Sequence, residues 1–354
     1  MSAHVVVLGA GLAGTAAARS IAARGHRVTV LERFEAGHVR GSSHGQERIF
    51  RISYDDPTYV RLGLAARTGW AALEAETGIT VFHPVGMLDH GDPDRLDALE
   101  ATGAATGVTL ARIPASEAAT RWPGLRFEGD VLVQDIGGWL AADRALAAFT
   151  LAAERHGAEF QYENPALDVA AHGPGWRVRT ATSTVDADAV VVATAGWTPA
   201  LLGDLADAVA LPPITVTTEV AAWFAPQPDG PTTTWPCWCH RIEPERYGLP
   251  APDGLLKLAE HGTGLVSHPD ERSFTPPPES LERLRAFAAD WIPGVVPEVV
   301  RATTCLYAST PTDDLVLERA GSLVVGVGLG GHGFKFGPAV GDRLADLVDQ
   351  SLAS

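Results

Sequence analysis

The sequence predicts an α/β fold: a Rossmann-type dinucleotide-binding domain interleaved with an α+β domain built on a mixed antiparallel sheet. Three observations carry that expectation. The chain opens as strand, glycine turn, helix and strand. It closes on a strand that runs through a glycine-rich loop into a helix. Segments rich in β-branched residues and proline separate these pieces.

Taken in order, Val5 to Leu8 reads as a buried strand, Gly11 to about Ala23 as an alanine-rich helix, and Arg27 to Leu31 as a second strand. A helix is expected from about Ala141 to His156, with Leu146, Phe149 and Ala153 on one face and Gly157 as its C-cap. Short strands follow around Phe160, Val169, Trp176 to Thr180 and Val185 to Val192. Leu323 to Val327 is the last strand, and the final helix is entered at Pro338. Residues 1–80, 139–205 and 301–354 are expected to form the dinucleotide domain. Residues 81–138 and 206–300, with β-branched runs such as Ile214 to Val220, are expected to form the second domain.

A chain of 354 residues is long enough for two domains. Apolar residues make up 46% and charged residues 20%, and no apolar stretch reaches the roughly 18 to 20 residues of a membrane span. The expectation is a soluble protein. Gly9, Gly11 and Gly14 break the N-terminal apolar run, which lacks the basic leader of a secretory signal. Leu352-Ala353-Ser354 is no peroxisomal address. Three cysteines do not make a disulfide framework, so a reducing, cytoplasmic location is expected. A net charge of -16 speaks against nucleic acid and is compatible with a small neutral or zwitterionic ligand.

Gly9-Ala10-Gly11-Leu12-Ala13-Gly14 lies between a predicted strand and a predicted helix, the context in which this spacing binds a dinucleotide. Gly9 permits the tight turn, Gly11 lets backbone approach the pyrophosphate, and Gly14 lets helix pack close to strand. The phosphates would rest on the helix N-terminus, where free amides favour anions. Glu32 ends the second strand, placed to accept hydrogen bonds from ribose hydroxyls, and speaks against a 2′-phosphate. The loop alone does not separate FAD from NAD. The apolar strand Val190 to Val192, ending in Ala193-Thr194-Ala195-Gly196-Trp197, is the kind with which flavoproteins return to the dinucleotide.

Four further segments stand out. Gly41-Ser42-Ser43-His44-Gly45-Gln46-Glu47-Arg48-Ile49-Phe50-Arg51 carries two arginines three apart, which read alone as a solvated face, although a planar guanidinium fork suits a carboxylate. Gly330-Gly331-His332-Gly333-Phe334-Lys335-Phe336 is a glycine loop ending in a lysine. Cys305 sits in Thr303-Thr304-Cys305-Leu306-Tyr307, where an isolated cysteine is by default a small buried apolar residue. Leu255-Leu256-Lys257-Leu258 sets one lysine among apolar residues, with His261 four further on; the outer face of a strand is its plain explanation. In Cys237-Trp238-Cys239-His240, adjacent ligands do not readily close a tetrahedral site, so packing is expected rather than zinc.

The first four of these segments together resemble the monomeric sarcosine oxidase family, which includes N-methyltryptophan and pipecolate oxidases, and the likeness spans nearly the whole chain. The resemblance implies an FAD-binding Rossmann domain and a flavin held as an 8α-S-cysteinyl thioether at Cys305, thiolate sulfur being a good nucleophile for that carbon. It places His44 and Arg48 near the isoalloxazine, and Arg51 and Lys335 on a substrate carboxylate. Tyr247 and His332 are implied beside the substrate, with Lys257 activating oxygen and His261 lining the active site. Gly9, Gly11, Gly14, Glu32, Arg33, Ser43, Gly330, Gly331, Gly333 and Lys335 are implied as cofactor contacts. The stretch Pro231 to Glu245 departs from the family pattern and leaves substrate choice open. The implied reaction is oxidation of the C–N bond of a small secondary or cyclic amino acid by a monomer, with O2 reduced to hydrogen peroxide. A noncovalent dehydrogenase or glycine-oxidase relative, a flavin-bearing subunit of a larger oxidase, and an NAD enzyme reading the same first loop remain open at this point.

Overall fold

A computed structural model describes residues 2–228 and 235–353. Its first layer is a six-stranded sheet in the order Val316–Ala320, Leu323–Val327, Ala189–Val192, His4–Leu8, Arg27–Leu31, Glu159–Gln161. All neighbours run parallel except the outermost pair, Val316–Ala320 with Leu323–Val327. Parallel strands covered on both faces need apolar side chains on both, which is why these strands read as unbroken branched runs. Val5 and Val7 pack against the helices Leu12–Ala23, Ala142–Arg155 and Gly337–Leu352, while Val6 and Leu8 face a three-stranded antiparallel sheet of Ala166–His172, Gly175–Thr180 and Thr184–Ala187.

The structure corrects the expected strand Val185 to Val192. The run Val185 to Val192 is two strands in two layers, Thr184–Ala187 and Ala189–Val192. Asp188 makes the step between them: its amide donates to His4 O at 2.9 Å and its Oδ2 accepts from His4 N at 2.7 Å. Phe149 and Ala153 of the expected helix enter the core, and half-buried Leu146 packs against it while also walling a large cavity. The helix ends at Arg155 with His156, not Gly157, as its C-cap, and Gly157 follows at φ +89°.

The second layer is a nine-stranded sheet in the order Leu265–Val266, Thr215–Pro226, Leu256–Glu260, Arg246–Pro250, Cys237–His240, Met87–His90, Val131–Gln134, Ala111–Ile113, with Val295–Ser309 also paired to Thr215–Pro226. It is mixed, because Cys237–His240 runs parallel to Met87–His90 in an otherwise antiparallel arrangement. The boundary expected at residue 301 falls inside the 15-residue strand Val295–Ser309, which continues in the second sheet to its end. Of the stretch 231–245, residues 231–234 lie outside the described residues. Cys237 and Cys239 pack with Met87, Trp139 and Leu249, and Trp238 on the opposite face packs with Phe287. Among the described residues no helix is long and apolar enough to cross a membrane.

Alternation along Leu256–Glu260 places the site. Leu256 and Leu258 face the helix Pro278–Trp291, so Lys257 faces the other way, against the short strand Glu47–Phe50. That face is not solvent; Lys257 is buried.

Gly14 joins helix to strand so closely that a Cβ on it would lie 1.8 Å from Gly9 O. Gly14→Ala therefore forces backbone apart, and we expect it to cost about 1 to 3 kcal/mol, read as a lower midpoint in chemical denaturation. An unchanged midpoint would mean that the turn is looser than this geometry requires.

Candidate active site

Two cavities meet along the segment 42–48. The larger, about 1010 Å³, is bounded by the glycine turn, Glu32 to Phe34, the loop through Ser43 and His44, Ala193 to Ala195, and Val327 to Gly330. Gly9 has φ +95°, and a Cβ there would stand 2.7 Å from Ala193 O, so the turn exists only with glycine at this position. The Leu12–Ala23 helix opens with no side-chain cap of its own, and Ser43 Oγ accepts from Leu12 N at 3.0 Å. Glu32 accepts from the amides of Ala10 at 2.7 Å and Phe34 at 2.9 Å, and His38 lies 3.5 Å away. Burial works to raise this carboxyl, but the hydrogen bonds from His38, Ala10 and Phe34 outweigh it and hold the group below its ordinary value. Arg33 pairs at the surface with Asp270 at 2.8 Å.

The smaller cavity, about 70 Å³, is walled by Arg48, Arg51, Tyr247, Lys257, His261, His332 and Lys335, among others. At roughly 10 to 15 Å³ per water it admits only a small ligand. Arg48 donates to the carbonyls of Glu47 at 2.9 Å, Ser42 at 3.1 Å and His44. Arg51 donates to Ser53 O and stacks 4.0 Å from the Tyr54 ring centroid. Lys335 Nζ donates to His332 O at 2.5 Å. Among the described residues none of these three has a carboxylate oxygen within 4.0 Å. Burial, then the charge of Arg51, pushes the Lys335 ammonium well below its ordinary pKa.

Lys257 differs. Its Nζ donates to Glu47 O at 3.2 Å and lies 4.0 Å from Glu47 Oε1. Burial and Arg48 lower it, Glu47 opposes them, and the result is about 8. The histidines are held neutral: burial with Arg48, Arg272 and Lys257 takes His44 to about 3, and burial with Lys335 takes His332 to about 3. Burial and Arg51 lower His261 as well. Burial raises Tyr247 to about 12, despite its hydrogen bond with Tyr307. His44 Nε2 is a buried ring nitrogen with no partner among the described residues, and His44 lines the larger cavity.

The model of the family described as FAD dependent oxidoreductase matches residues 4–347. The chain belongs to that family. It is 34% identical to the monomeric sarcosine oxidase of Streptomyces avermitilis, over 97% of this chain and 93% of the relative. It is 31% identical to the human peroxisomal sarcosine oxidase, over 97% and 91%. Among solved structures it is similar to NikD, described as an unusual amino acid oxidase essential for nikkomycin biosynthesis, with a TM-score of 0.86 and 28% identity over 98% of this chain and 94% of that one.

The larger cavity suits the FAD of this family: a glycine cradle that a Cβ would fill, a helix N-terminus, an acid at the second strand end and the unpartnered His44 nitrogen surround one space. Gly9, Gly11, Glu32, Arg33, Ser43, His44 and Gly330 line it. Gly331 joins the wall of the smaller cavity, where a Cβ would meet Tyr307 Cε2 at 2.2 Å and His261 Cε1 at 2.7 Å. Gly14 and Gly333 lie behind the walls and set their packing; a Cβ on Gly333 would meet Leu329 Cβ at 2.4 Å. Cys305 Sγ lies 3.7 Å from the carbonyl oxygen of Ser42, which lines the larger cavity; Cys305 itself is in the wall of neither cavity.

Sequence reading missed Glu47, Trp223 and Arg272. Arg272 is buried and ties the strand of Cys305 to the loop before Ser43, donating to Thr304 Oγ1 at 3.0 Å, to Thr304 O and to Val39 O at 2.6 Å. One signal was present in the sequence: the chain has two lysines, Lys257 and Lys335, and both wall the smaller cavity.

Arg51 and Lys335 wall one small cavity and could together hold one small anion there. Charge-assisted hydrogen bonds contribute about 1.5 to 3 kcal/mol, so Arg51→Ala or Lys335→Met is expected to weaken acetate binding by about one to two decades. Above the lowered pKa of free Lys335, binding must take up a proton, so affinity falls as pH rises. Calorimetry in buffers of different ionisation enthalpy reads that uptake, and Lys335→Met should abolish it. Binding independent of pH in the unmodified protein would leave Lys335 without this role.

Proposed function

We propose that this flavoenzyme oxidises the C–N bond of a small secondary or cyclic amino acid to the imine, with O2 as electron acceptor and hydrogen peroxide as product. The observation that carries the reading is the pair of basic side chains, half-buried Arg51 and buried Lys335, without a carboxylate of their own in a cavity of about 70 Å³ beside the cofactor cavity. Relatives named sarcosine oxidase and N-methyl-L-tryptophan oxidase support it. The word monomeric in the name of the Streptomyces relative supports a single-chain enzyme.

Gly9, Gly11, Glu32, Arg33, Ser43 and Gly330 would hold FAD, with Gly14, Gly331 and Gly333 shaping the walls around it, and the cofactor would supply two-electron acceptance from the carbon beside nitrogen and electron donation to oxygen. The chain does the rest. Arg51 and Lys335 take the substrate carboxylate and thereby fix where its nitrogen and adjacent carbon lie. Their charge, with His261 and His332 neutral, lowers the pKa of a bound amine and favours the unprotonated form that oxidation requires. Tyr247, hydrogen-bonded to Tyr307, closes one wall. His44 and Arg48 stand between the two cavities, where the flavin ring would bring cofactor and substrate together. Lys257 offers a positive charge for the negative charge that develops on oxygen.

Turnover of sarcosine, proline, pipecolate and N-methyl amino acids, followed by coupled peroxide detection, tests the reading. No peroxide from any of them, with flavin bound, would reject it.

The resemblance around Cys305 supports a thioether to the flavin. Acid-precipitated protein is then expected to stay yellow, Cys305→Ala to release its colour, and the flavin peptide to map to Cys305. Colour released from the unmodified protein would favour a noncovalent relative.

For Lys257, replacement by Met is expected to slow reoxidation at least tenfold more than anaerobic reduction, the loss of about 1.4 kcal/mol or more of charge stabilisation in one half-reaction. Stopped-flow measurement of both half-reactions decides; equal losses would assign Lys257 to substrate binding or structure.

A further inference from the structure

Glu47 is a carboxylate with no solvent exposure in the wall of the smaller cavity. Burying such a charge is costly unless partners compensate it. Its Oε1 accepts the Trp223 indole N–H at 2.7 Å and lies 4.0 Å from Lys257 Nζ, while its main-chain oxygen accepts from the same Nζ at 3.2 Å. Trp223 and Lys257 are cross-strand partners, with Nζ 5.2 Å from the indole centroid. Glu47 thus meets the lysine by main chain and by side chain, and the indole fixes the carboxylate that does so. Glu47 Oε2 has no hydrogen-bond partner among the described residues.

The charged groups around Lys257 come from two strands. Arg48, next to Glu47 on Glu47–Phe50, and Arg301, on Val295–Ser309, act against a further positive charge, and Glu47 acts for it; a Cys305 thiolate would also do so, but not a Cys305 thioether. His44 is held neutral and feels the lysine as a cation. Arg301 has its own counter-ion in Asp253 at 2.5 Å. Glu47 is the one carboxylate within 4.0 Å of Lys257 among the described residues.

We propose that Glu47 is the positioning residue of Lys257, fixing its ammonium at the cavity wall and supplying the negative charge that lets it stay protonated there. The proposal rests on the reading of Lys257 as the group that serves oxygen. Negative charge builds on oxygen as it takes up electrons, so the cation has to be in place beforehand. The two lysines of the chain are set apart by this counter-ion: Lys335, with none, is left for the substrate carboxylate, and Lys257, neutralised by Glu47, does not compete for it.

With two lysines in the chain, holoenzyme labelled with 13C at lysine Cε gives two side-chain signals to titrate, and the signal lost in Lys257→Met identifies Lys257. In Glu47→Gln, which keeps an acceptor for Trp223, the Lys257 midpoint is expected to fall by about one pH unit, the effect of a unit charge about 4 Å away even in a water-like dielectric. The pH profile of reoxidation by O2 should move the same way. Glu47→Asp should recover part of both shifts and guards against a misfolded Gln variant. A Lys257 midpoint unmoved in Glu47→Gln overturns the proposal, as does a moved midpoint with an unmoved reoxidation profile. If Lys257→Met reoxidises normally, the oxygen role of Lys257 itself fails, an outcome separate from the titration.

Discussion

Positive charge gathered in one small cavity without negative partners is the constraint around which this site is arranged. Arg48, Arg51 and Lys335 are gripped by the backbone carbonyls of Ser42, His44, Glu47, Ser53 and His332. Carbonyl dipoles orient a cationic head, but they neutralise none of its charge. Neighbouring cations are treated differently: Arg241 is bound through two nitrogens to Asp89 and through a third to Glu245, and Arg246 is bound to Glu260. Within the smaller cavity the charge left without a carboxylate is thereby concentrated on Arg48, Arg51 and Lys335, where an anion that enters can meet it.

Holding those groups requires the segment from Gly41 to Tyr54 to be fixed from outside. Arg272 fastens its start to the strand of Cys305, the Glu47–Phe50 strand pairs with Gly138–Ala141, and Gln134 Oε1 accepts from Ile52 N at 3.0 Å. Gln134 also donates to Asp89 at 3.1 Å, the acid that neutralises Arg241. The support for one cation and the neutralisation of another therefore share a residue. Histidines complete the field. His44, His261 and His332 are kept neutral by burial and by the cations around them, so they add hydrogen-bonding capacity without adding charge.

The choice of lysine at two positions, against arginine at every other basic position, has a physical meaning. A guanidinium is permanently charged and presents a planar fork, whereas an ammonium is compact and gives up its proton when buried. Lys335 and Lys257 are both lowered by burial and by a neighbouring arginine; Glu47 opposes that shift at Lys257, while no carboxylate oxygen stands within 4.0 Å of Lys335 among the described residues. Charge at these two points depends on what lies next to the nitrogen.

Sequence alone determined the dinucleotide turn and most of the strands and helices of the first layer along the chain, because these are local, while the edge strand Val316–Ala320 went unread. A glycine at positive φ, a Cβ-free contact between helix and strand, and runs of branched residues leave their mark within a few positions of the chain. The loops at 41–51 and 330–336 were legible for the same reason, and the structure brings them to the walls of adjoining cavities. Other features have no local trace. Val185 to Val192 is a uniform β run in sequence, and only the docking of Asp188 on His4 divides it between layers. Lys257 looks like an outward-facing lysine until the strand at Glu47 covers its face of the sheet. Glu47 finds Trp223 176 positions along the chain and Lys257 210 positions along it, and Arg272 finds Val39 233 positions back. Which acid neutralises which base is therefore decided by tertiary structure, since packing of distant strands, not periodicity along any one of them, sets those distances.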